Sequence, residues 1–276
     1  MILVLQGADA TARTAAALAE LSGGAAPEQL GPAAWRLRDA QPHPEIDAHC
    51  AARRIDLAWV PEERRFDRLK LLAMDMDSTL ITIECIDELG SFFNKKNEIS
   101  EITATAMRGE IDYPASLRKR VALLEGLPEE ALQDVYDDKL RLSPGAELLV
   151  AACKKHGIKL LLVSGGFTFF TERLKERLGL DETLSNVLEI DNGRLTGRVL
   201  GPIVDADAKA AKFRQLARRL GAAQDQTVAI GDGANDLKMM AEAGVSVAYR
   251  AKPVVRAQAT HALGYSGLDG ALHLFT

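Results

Sequence analysis

The sequence has 276 residues, of which 47% are apolar and 26% charged, and its formal net charge is −5. This composition excludes a disordered chain and a disulfide-stapled small protein, and at about 100–200 residues per domain it predicts two domains, or one domain with an insertion. No apolar run reaches the roughly 18–20 residues of a membrane span, and the start lacks a basic signal-peptide region, so we expect a cytoplasmic protein. The acidic balance gives no reason to expect nucleic acid or a membrane as partner.

Residues 1–66 form a compositional unit that is rich in alanine and closes with a charged stretch at residues 61–65. Hydrophobic patterning predicts strands at residues 2–6 and 55–60 and helices at 11–21 and 44–54. We therefore expect a small N-terminal α+β domain over residues 1–66. It contains no catalytic constellation.

From residue 69 onward, short apolar runs alternate with helical patterns. This alternation is typical of a doubly wound parallel sheet of the α/β class, whose buried strands are apolar on both faces. An Asn-Gly pair at residues 192–193 also predicts a hairpin between residues 187–190 and 194–200, because these residues favour a type I′ turn. The other predicted strands are 69–74, 158–163, 227–230 and 245–249.

About eighty residues separate the first two predicted strands, far more than a crossover between parallel strands needs. Four successive helical patterns fill this interval, at residues 84–96, 98–108, 114–125 and 129–140. We therefore predict a helical cap over residues 83–142, inserted into a core formed by residues 67–82 and 143–276.

Acidic residues follow two of the predicted core strands. Asp75 and Asp77 come after the first, and Asp232 and Asp236 after the third. Because the carboxyl ends of parallel strands meet at one sheet edge, the four carboxylates should repel one another unless a divalent cation lies among them. A set with oxygen ligands and no histidine suits Mg²⁺. The similar Asp205-Ala-Asp207 segment is interpreted as a helix N-cap.

Three further positions favour an anion. The Ser164-Gly165-Gly166 turn is expected to open a helix, where free N–H groups attract negative charge. Helical spacing directs Lys209 and Arg120 toward the apolar faces of their helices, where a cation needs an anionic partner. For both cations an alternative stays open, in which the methylene stem of the side chain covers apolar surface and the charged group reaches water. Together with the acidic edge, these positions indicate phosphoryl transfer with Asp75 as attacking group.

Four motifs resemble those of haloacid dehalogenase (HAD) superfamily phosphatases, namely residues 75–79, 164–167, Lys209 and 231–236. Longer segments resemble the branch of that superfamily that hydrolyses O-phospho-L-serine, at residues 74–79, 83–88, 106–110, 116–121 and 164–170. The resemblance covers roughly residues 69–260. It implies a HAD-like, Rossmann-like fold and Mg²⁺-dependent hydrolysis through an aspartyl-phosphate, which is the last step of L-serine biosynthesis.

The resemblance also implies roles for individual residues. Asp75 would be the nucleophile, and Asp77 would be the general acid for the leaving oxygen and then the base for water. Mg²⁺ would be held by Asp75, Asp232 and the backbone carbonyl of Asp77, with Asp236 in support.

The implied substrate-binding residues are Glu84, Arg120, Ser164, Gly165, Lys209 and Asn235. Glu84 would meet the substrate ammonium group and Arg120 its carboxylate, although spacing alone makes Glu84 only a favourable first-turn acid. Met107 matches a position near the substrate, with core packing as the alternative.

Two alternative functions stay open. The chain could be a HAD phosphatase or phosphotransferase for another small phosphorylated amino acid or alcohol, or a non-catalytic regulator that binds an amino acid. The N-terminal unit resembles an ACT-like regulatory domain truncated by one strand, and feedback by serine stays an open alternative. A homodimer is an alternative to a monomer.

Overall fold

The structure is a computed structural model that describes residues 1–276. The strands are β1 (Ile2–Gln6), β2 (Glu28–Gly31), β3 (Ala34–Leu37), β4 (Asp56–Val60), β5 (Leu71–Met74), β6 (Lys159–Phe167), β7 (Glu182–Asp191), β8 (Arg194–Leu200), β9 (Thr227–Gly231), β10 (Val245–Tyr249) and β11 (His261–Leu263). The helices are α1 (Ala12–Ser22), α2 (Pro44–Ala52), α3 (Cys85–Ser91), α4 (Lys96–Met107), α5 (Tyr113–Ala122), α6 (Glu130–Asp134), α7 (Ala146–Lys155), α8 (Thr168–Leu178), α9 (Ala206–Arg219), α10 (Leu237–Glu242) and α11 (Pro253–Arg256). None of the helices has the length and apolar character that crossing a membrane requires.

Seven strands form one sheet in the order β11-β10-β9-β5-β6-β7-β8. All neighbours pair in parallel except β7 and β8, which form the predicted hairpin around Asn192 and Gly193, both with positive φ. The central strand β5 is buried on both faces, with Leu72 and Met74 in one apolar cluster and Leu71 and Ala73 in another. The α/β class with a mainly parallel sheet is thus confirmed, because side chains alternate between the faces of a strand that helices cover on both sides.

The helices α3 to α6 lie between β5 and β6 in the chain, and the chain enters and leaves this insertion at a bridge between Ile81 and Leu142. We propose this bridge as the boundary between the helical cap and the core. The sequence predicted that this helix would end at residue 96, but α3 ends at Ser91. The chain turns there through Asn94, whose φ of 54° takes it out of the helix.

The N-terminal residues form a separate four-stranded antiparallel sheet in the order β2-β3-β1-β4. Leu3 and Leu5 pack under α1 and α2, while Ile2 and Val4 point the other way and join the apolar cluster of the seven-stranded sheet. The expectation of a truncated unit is wrong, because β2 and β3 complete a β-α-β-β-α-β order. Strands β2 and β3 were both missed, since each has only four residues and the exposed and half-exposed residues of β2 form no apolar run.

Polar contacts attach the N-terminal sheet to the core. The Asp56 carboxylate on β4 accepts hydrogen bonds of 2.8–2.9 Å from the three backbone N–H groups of residues 264–266 and one from the Ser266 hydroxyl. The Gln6 amide on β1 donates to the Gly270 carbonyl at 3.2 Å. Because buried polar groups are costly when unpaired, these contacts fix how the two sheets meet.

Candidate active site

Three neighbouring strands of the core sheet deliver the predicted polar residues to one edge. Strand β5 lies between β6 and β9. Asp75 and Asp232 directly follow β5 and β9, and Ser164 lies within β6, near its carboxyl end. The structure therefore brings together the groups that the strand-end pattern singled out, in the crevice where doubly wound sheets bind ligands.

Three of the four carboxylates form a cluster. One oxygen from each of Asp75, Asp232 and Asp236 lies within 4.8 Å of the others. Burial and the charges of Asp236 and Asp232 raise the pKa of Asp75 well above its ordinary value, and burial with Asp236 and Glu84 raises that of Asp232 to about 7. Such shifts reflect the cost of confining like charges, which a divalent cation would relieve. An all-oxygen donor set with this excess of negative charge fits a hard divalent cation.

Asp236 is held in place by its surroundings. Its Oδ2 accepts a hydrogen bond from the Gly233 N–H at 3.1 Å. A Cβ at Gly231 would lie 2.5 Å from the Asp236 carboxylate, so only glycine at the end of β9 allows Asp236 this position. The strand end and the loop are thus shaped around the carboxylate.

Lys209 is fully buried on α9, as its helical position predicted. Its Nζ lies 2.9 Å from Asp75 Oδ1 and 2.8 Å from Asp236 Oδ1. Burial alone lowers the pKa of Lys209, but the two carboxylates raise it above its ordinary value, so the ammonium group keeps its charge. The alternative that the ammonium group of Lys209 reaches water is thereby excluded.

Asp77 lies on the loop after β5 and is half-exposed. Its Oδ1 accepts a hydrogen bond of 3.0 Å from the N–H of Cys85, the first residue of α3. Burial of the carboxyl and the nearby charge of Glu84 raise the pKa of Asp77 to about 7. The side chain that could transfer a proton is therefore oriented by the start of the cap.

Gly165 lies where cap and core meet. Its carbonyl accepts hydrogen bonds from the Tyr113 hydroxyl on α5 at 3.1 Å and from the Asn186 amide on β7 at 2.8 Å. A Cβ at Gly165 would overlap the Tyr113 hydroxyl. Glycine here therefore permits close approach of the cap to the strand end.

The helix start expected at the Ser164-Gly165-Gly166 turn is wrong. Strand β6 continues through Phe167, and α8 begins at Thr168. Ser164 is buried and its Oγ accepts the Gly166 N–H at 2.8 Å. Oxyanion donors near Ser164 therefore come from strand backbone and the hydroxyl rather than from a helix end.

Glu84 and Arg120 lie on the cap side of the crevice. Glu84 is open to the crevice and accepts a hydrogen bond from the Ser78 hydroxyl at 2.7 Å, but desolvation by the surrounding protein raises its pKa. Arg120 is half-buried, and its Nε has neither solvent contact nor a hydrogen-bond partner. A buried donor without a partner is rare and costly, so this Nε is free to bind an anion from outside the chain.

Asn235 and Met107 also lie near the site. Asn235 is half-buried, and its Oδ1 lies so close to Gly233 that a Cβ there would collide with it. Met107 is 64% exposed, which excludes the core-packing alternative. Its sulfur lies 3.5 Å from the Lys252 ammonium.

Sequence reasoning missed three residues of this region. Tyr113 and Asn186 both bind the Gly165 carbonyl, and the Lys252 N–H donates to the Asp232 carbonyl at 3.4 Å. Lys252 follows the end of β10, so the strand-end rule applied to the fourth strand would have found it. Asn186 is a buried amide beside apolar residues, which is also a usable signal. No pattern in the sequence around Tyr113 distinguishes it as a residue of the site.

Comparison with known proteins establishes the family. A family model described as haloacid dehalogenase-like hydrolase matches residues 72–241, and a domain of unknown function matches residues 3–46. The chain belongs to the haloacid dehalogenase-like hydrolases, and it has their HAD-like fold.

The relatives define the group within that family. A phosphoserine phosphatase of a Polaromonas species is 54% identical over 210 residues, which cover 74% of this chain and 89% of the relative. The unliganded structure of a probable phosphoserine phosphatase from Vibrio cholerae has a TM-score of 0.87 at 38% identity and covers 99% of this chain and 85% of its own. A substrate-bound phosphoserine phosphatase complex has a TM-score of 0.71 at 36% identity, covering 75% of this chain and 99% of its own. Among HAD-like hydrolases this enzyme is thus grouped with the phosphoserine phosphatases.

Proposed function

We propose that this phosphatase hydrolyses O-phospho-L-serine to L-serine and phosphate through an aspartyl-phosphate on Asp75. The observation that supports this choice of substrate is the pair of opposite charges on the cap, Glu84 and Arg120. They are close enough for Arg120 to influence the pKa of Glu84, yet the Arg120 Nε has no partner. A zwitterionic amino acid presents an ammonium and a carboxylate group to such a pair.

We assign the metal site to the carboxylate cluster. Asp75, Asp232 and the backbone carbonyl of Asp77 would hold Mg²⁺, with Asp236 in support through its contact with Lys209. Bound Mg²⁺ supplies positive charge that lets an anionic carboxylate approach an anionic phosphate.

The first half of the reaction transfers the phosphoryl group to the chain. A carboxylate oxygen of Asp75 bonds to phosphorus while the bond from phosphorus to the seryl oxygen breaks. Met76 N–H and Lys209 both contact Oδ1, which leaves Oδ2 as the attacking atom. Asp77 donates its proton to the departing seryl oxygen, and serine leaves as the neutral alcohol.

The second half regenerates the enzyme. Water attacks phosphorus of the aspartyl-phosphate, and the Asp77 carboxylate accepts the proton that the water loses. The bond between phosphorus and Asp75 then breaks, which restores the Asp75 carboxylate and releases inorganic phosphate. The Cys85 N–H holds the Asp77 carboxylate on the substrate side of the loop in both halves.

The phosphate oxygens need fixed donors because charge builds on them as the group transfers. We assign this role to the Ser164 hydroxyl, the Gly165 N–H and the Lys209 ammonium, with Asn235 as a further substrate contact. Ser164 and Lys209 are fully buried, so their positions are set before substrate arrives.

A panel of phosphate monoesters tests the proposal. Phosphate release from O-phospho-L-serine should exceed release from phosphoethanolamine and from sugar phosphates, and a chelator should abolish it until Mg²⁺ is restored. Preference for another phosphorylated amino acid or alcohol would favour a different phosphatase or phosphotransferase. Serine binding without release from any ester would favour the non-catalytic regulator.

We further infer that the enzyme acts in the cytoplasm on this small-molecule substrate, at the last step of L-serine biosynthesis, with neither nucleic acid nor membrane as partner. The net charge of −5 supports this inference, since it gives no attraction to polyanions. Light scattering of the purified chain distinguishes a monomer from a homodimer.

A further inference from the structure

A cavity of about 570 Å³ lies between the N-terminal sheet and the edge of the core sheet, apart from the active site. Asp9 and Arg54 line it from the N-terminal unit, and Arg250, Arg256 and Tyr265 line it from the core. None of the residues assigned to the phosphatase site reaches it. Its volume suits an organic molecule of roughly nucleotide size rather than a single ion.

The cavity carries positive charge in a protein whose net charge is −5. Three arginines face one aspartate in its lining, and none of the three forms an ion pair with a carboxylate of the chain. The Arg54 guanidinium lies 5.4 Å from the centre of the Tyr265 ring, so a contact across the boundary positions it. Arginines that line one cavity and have no carboxylate partner are suited to bind phosphate or carboxylate groups bidentately.

The backbone around the cavity supports the same interpretation. Arg54 and Arg250 both have positive φ, 54° and 45°, a conformation that residues other than glycine rarely adopt. The Arg250 N–H is anchored to the Leu263 carbonyl at 2.7 Å, which holds this conformation in place. The backbone N–H groups of Ala8 and Ala251, two further lining residues, donate to no acceptor in the chain.

We propose that this cavity binds a small organic anion that carries two or more phosphate or carboxylate groups. The site has a direct connection to the catalytic edge. Arg250 and Ala251 immediately precede Lys252, whose N–H contacts the Asp232 carbonyl. The lining of the cavity is therefore continuous in the chain with the residue that contacts Asp232.

Calorimetric titration of the full chain tests the proposal, with Mg²⁺ removed and salt at a physiological concentration. Pyrophosphate and citrate are the probes for phosphate and carboxylate ligands. We expect at least one to bind, and the double variant Arg54→Gln/Arg256→Gln should weaken that binding at least tenfold. Arg177→Gln removes an exposed arginine of α8 and is the matched control, with an expected change below twofold.

The two probes identify the ligand class, and the variants locate the site. Binding of pyrophosphate alone indicates a phosphorylated ligand, and binding of citrate alone a polycarboxylate. Pyrophosphate held at Lys209 in the active site would bind wild type and double variant equally, and that result overturns the proposal. Absence of binding by either probe at 5 mM, a concentration on the order of a weak physiological ligand, overturns it as well.

A second variant keeps the test independent of folding. Arg256 is exposed on the short helix α11, so Arg256→Glu should fold, as its unfolding midpoint without anion will show. Charge reversal should weaken binding at least as much as the neutral double variant. Unchanged affinity in folded Arg256→Glu contradicts the assignment.

Discussion

Two Asp-x-Asp segments show that surroundings decide the role of a carboxylate. Asp75 is buried against Lys209, whereas Asp207 is exposed and pairs with Lys238 at 2.7 Å on the surface of α9. Asp205 caps α9 by accepting the Ala208 N–H, as predicted. A role in catalysis is therefore expected for Asp75 and Asp77 and not for Asp205 and Asp207.

Replacement of Asp75 by asparagine should abolish turnover, because an amide cannot form the acyl phosphate. We expect kcat to fall by about a thousandfold or more. Asp207→Asn is the matched control and should retain activity within a factor of about two. Phosphate release from O-phospho-L-serine measures both, and residual turnover above a tenth in Asp75→Asn would contradict the nucleophile assignment.

Arg120 should control affinity for the substrate carboxylate. Arg120→Ala should raise KM for O-phospho-L-serine by about 10- to 100-fold, the usual loss for a hydrogen bond to a charged group. The KM for phosphoethanolamine, which lacks the carboxylate, should change much less. Arg118→Ala, on the exposed face of the same helix, serves as control. An equal rise of KM for both esters would refute the recognition role.

At the scale of elements, one of the hydrogen bonds between the cap and the core runs from α5 to β6, near the carboxyl end of that strand. Burial raises the pKa of Tyr113 to about 12, so its hydroxyl remains a donor to Gly165 at physiological pH. The contact places the helix that carries Arg120 over the strand end that carries Ser164. The residues proposed for substrate recognition and for phosphate binding are thereby aligned.

Tyr113→Phe should loosen this alignment without removing a group that reacts. A net hydrogen bond of about 0.5–1.5 kcal/mol predicts a loss of kcat/KM of about 2- to 12-fold. Tyr136→Phe removes a cap hydroxyl that makes no hydrogen bond and should have little effect. If both variants kept wild-type kinetics, the Tyr113 contact would have no role in alignment.

The parallel strands could be predicted from sequence because burial on both faces requires continuous apolar runs such as residues 71–74. The carboxylate cluster could be predicted as well, because Asp75 and Asp232 directly follow two of these strands. Strand β2 could not be predicted, since it is short and half-exposed, and the extension of β6 through Gly165 was hidden by glycines that suggest a turn. The Tyr113 contact depends on how cap and core meet, which local patterns do not encode.

At the scale of the whole molecule, a buried histidine lies between the charged stretch at residues 61–65 and the edge of the seven-stranded sheet. His261 begins β11 and its Nε2 lies 2.5 Å from a guanidinium nitrogen of Arg64. Burial and the Arg64 charge lower the pKa of His261 to about 4. The folded protein therefore holds this ring neutral at a pH where the unfolded chain would protonate it.

Stability should consequently fall as the pH is lowered. Between pH about 6.5 and about 4 the unfolded chain binds a proton at His261 that the folded chain does not, which costs on the order of 3 kcal/mol across the window. His261→Gln should flatten the slope of unfolding free energy against pH in that range. Denaturant unfolding at several pH values measures it, and an unchanged slope would show that other groups dominate acid sensitivity.

The hydrogen bond between Gln6 and Gly270 joins positions 264 residues apart. The residues that cover one apolar face of the N-terminal sheet, including Leu274, thus leave the ribosome long after the sheet itself. At about 5–20 residues per second, that face stays uncovered for on the order of 10–50 s of synthesis. A chain stalled before residue 270 would expose the apolar side chains of Ile2 and Val4, so synthesis of residues 270–274 is also the step that covers this aggregation-prone surface.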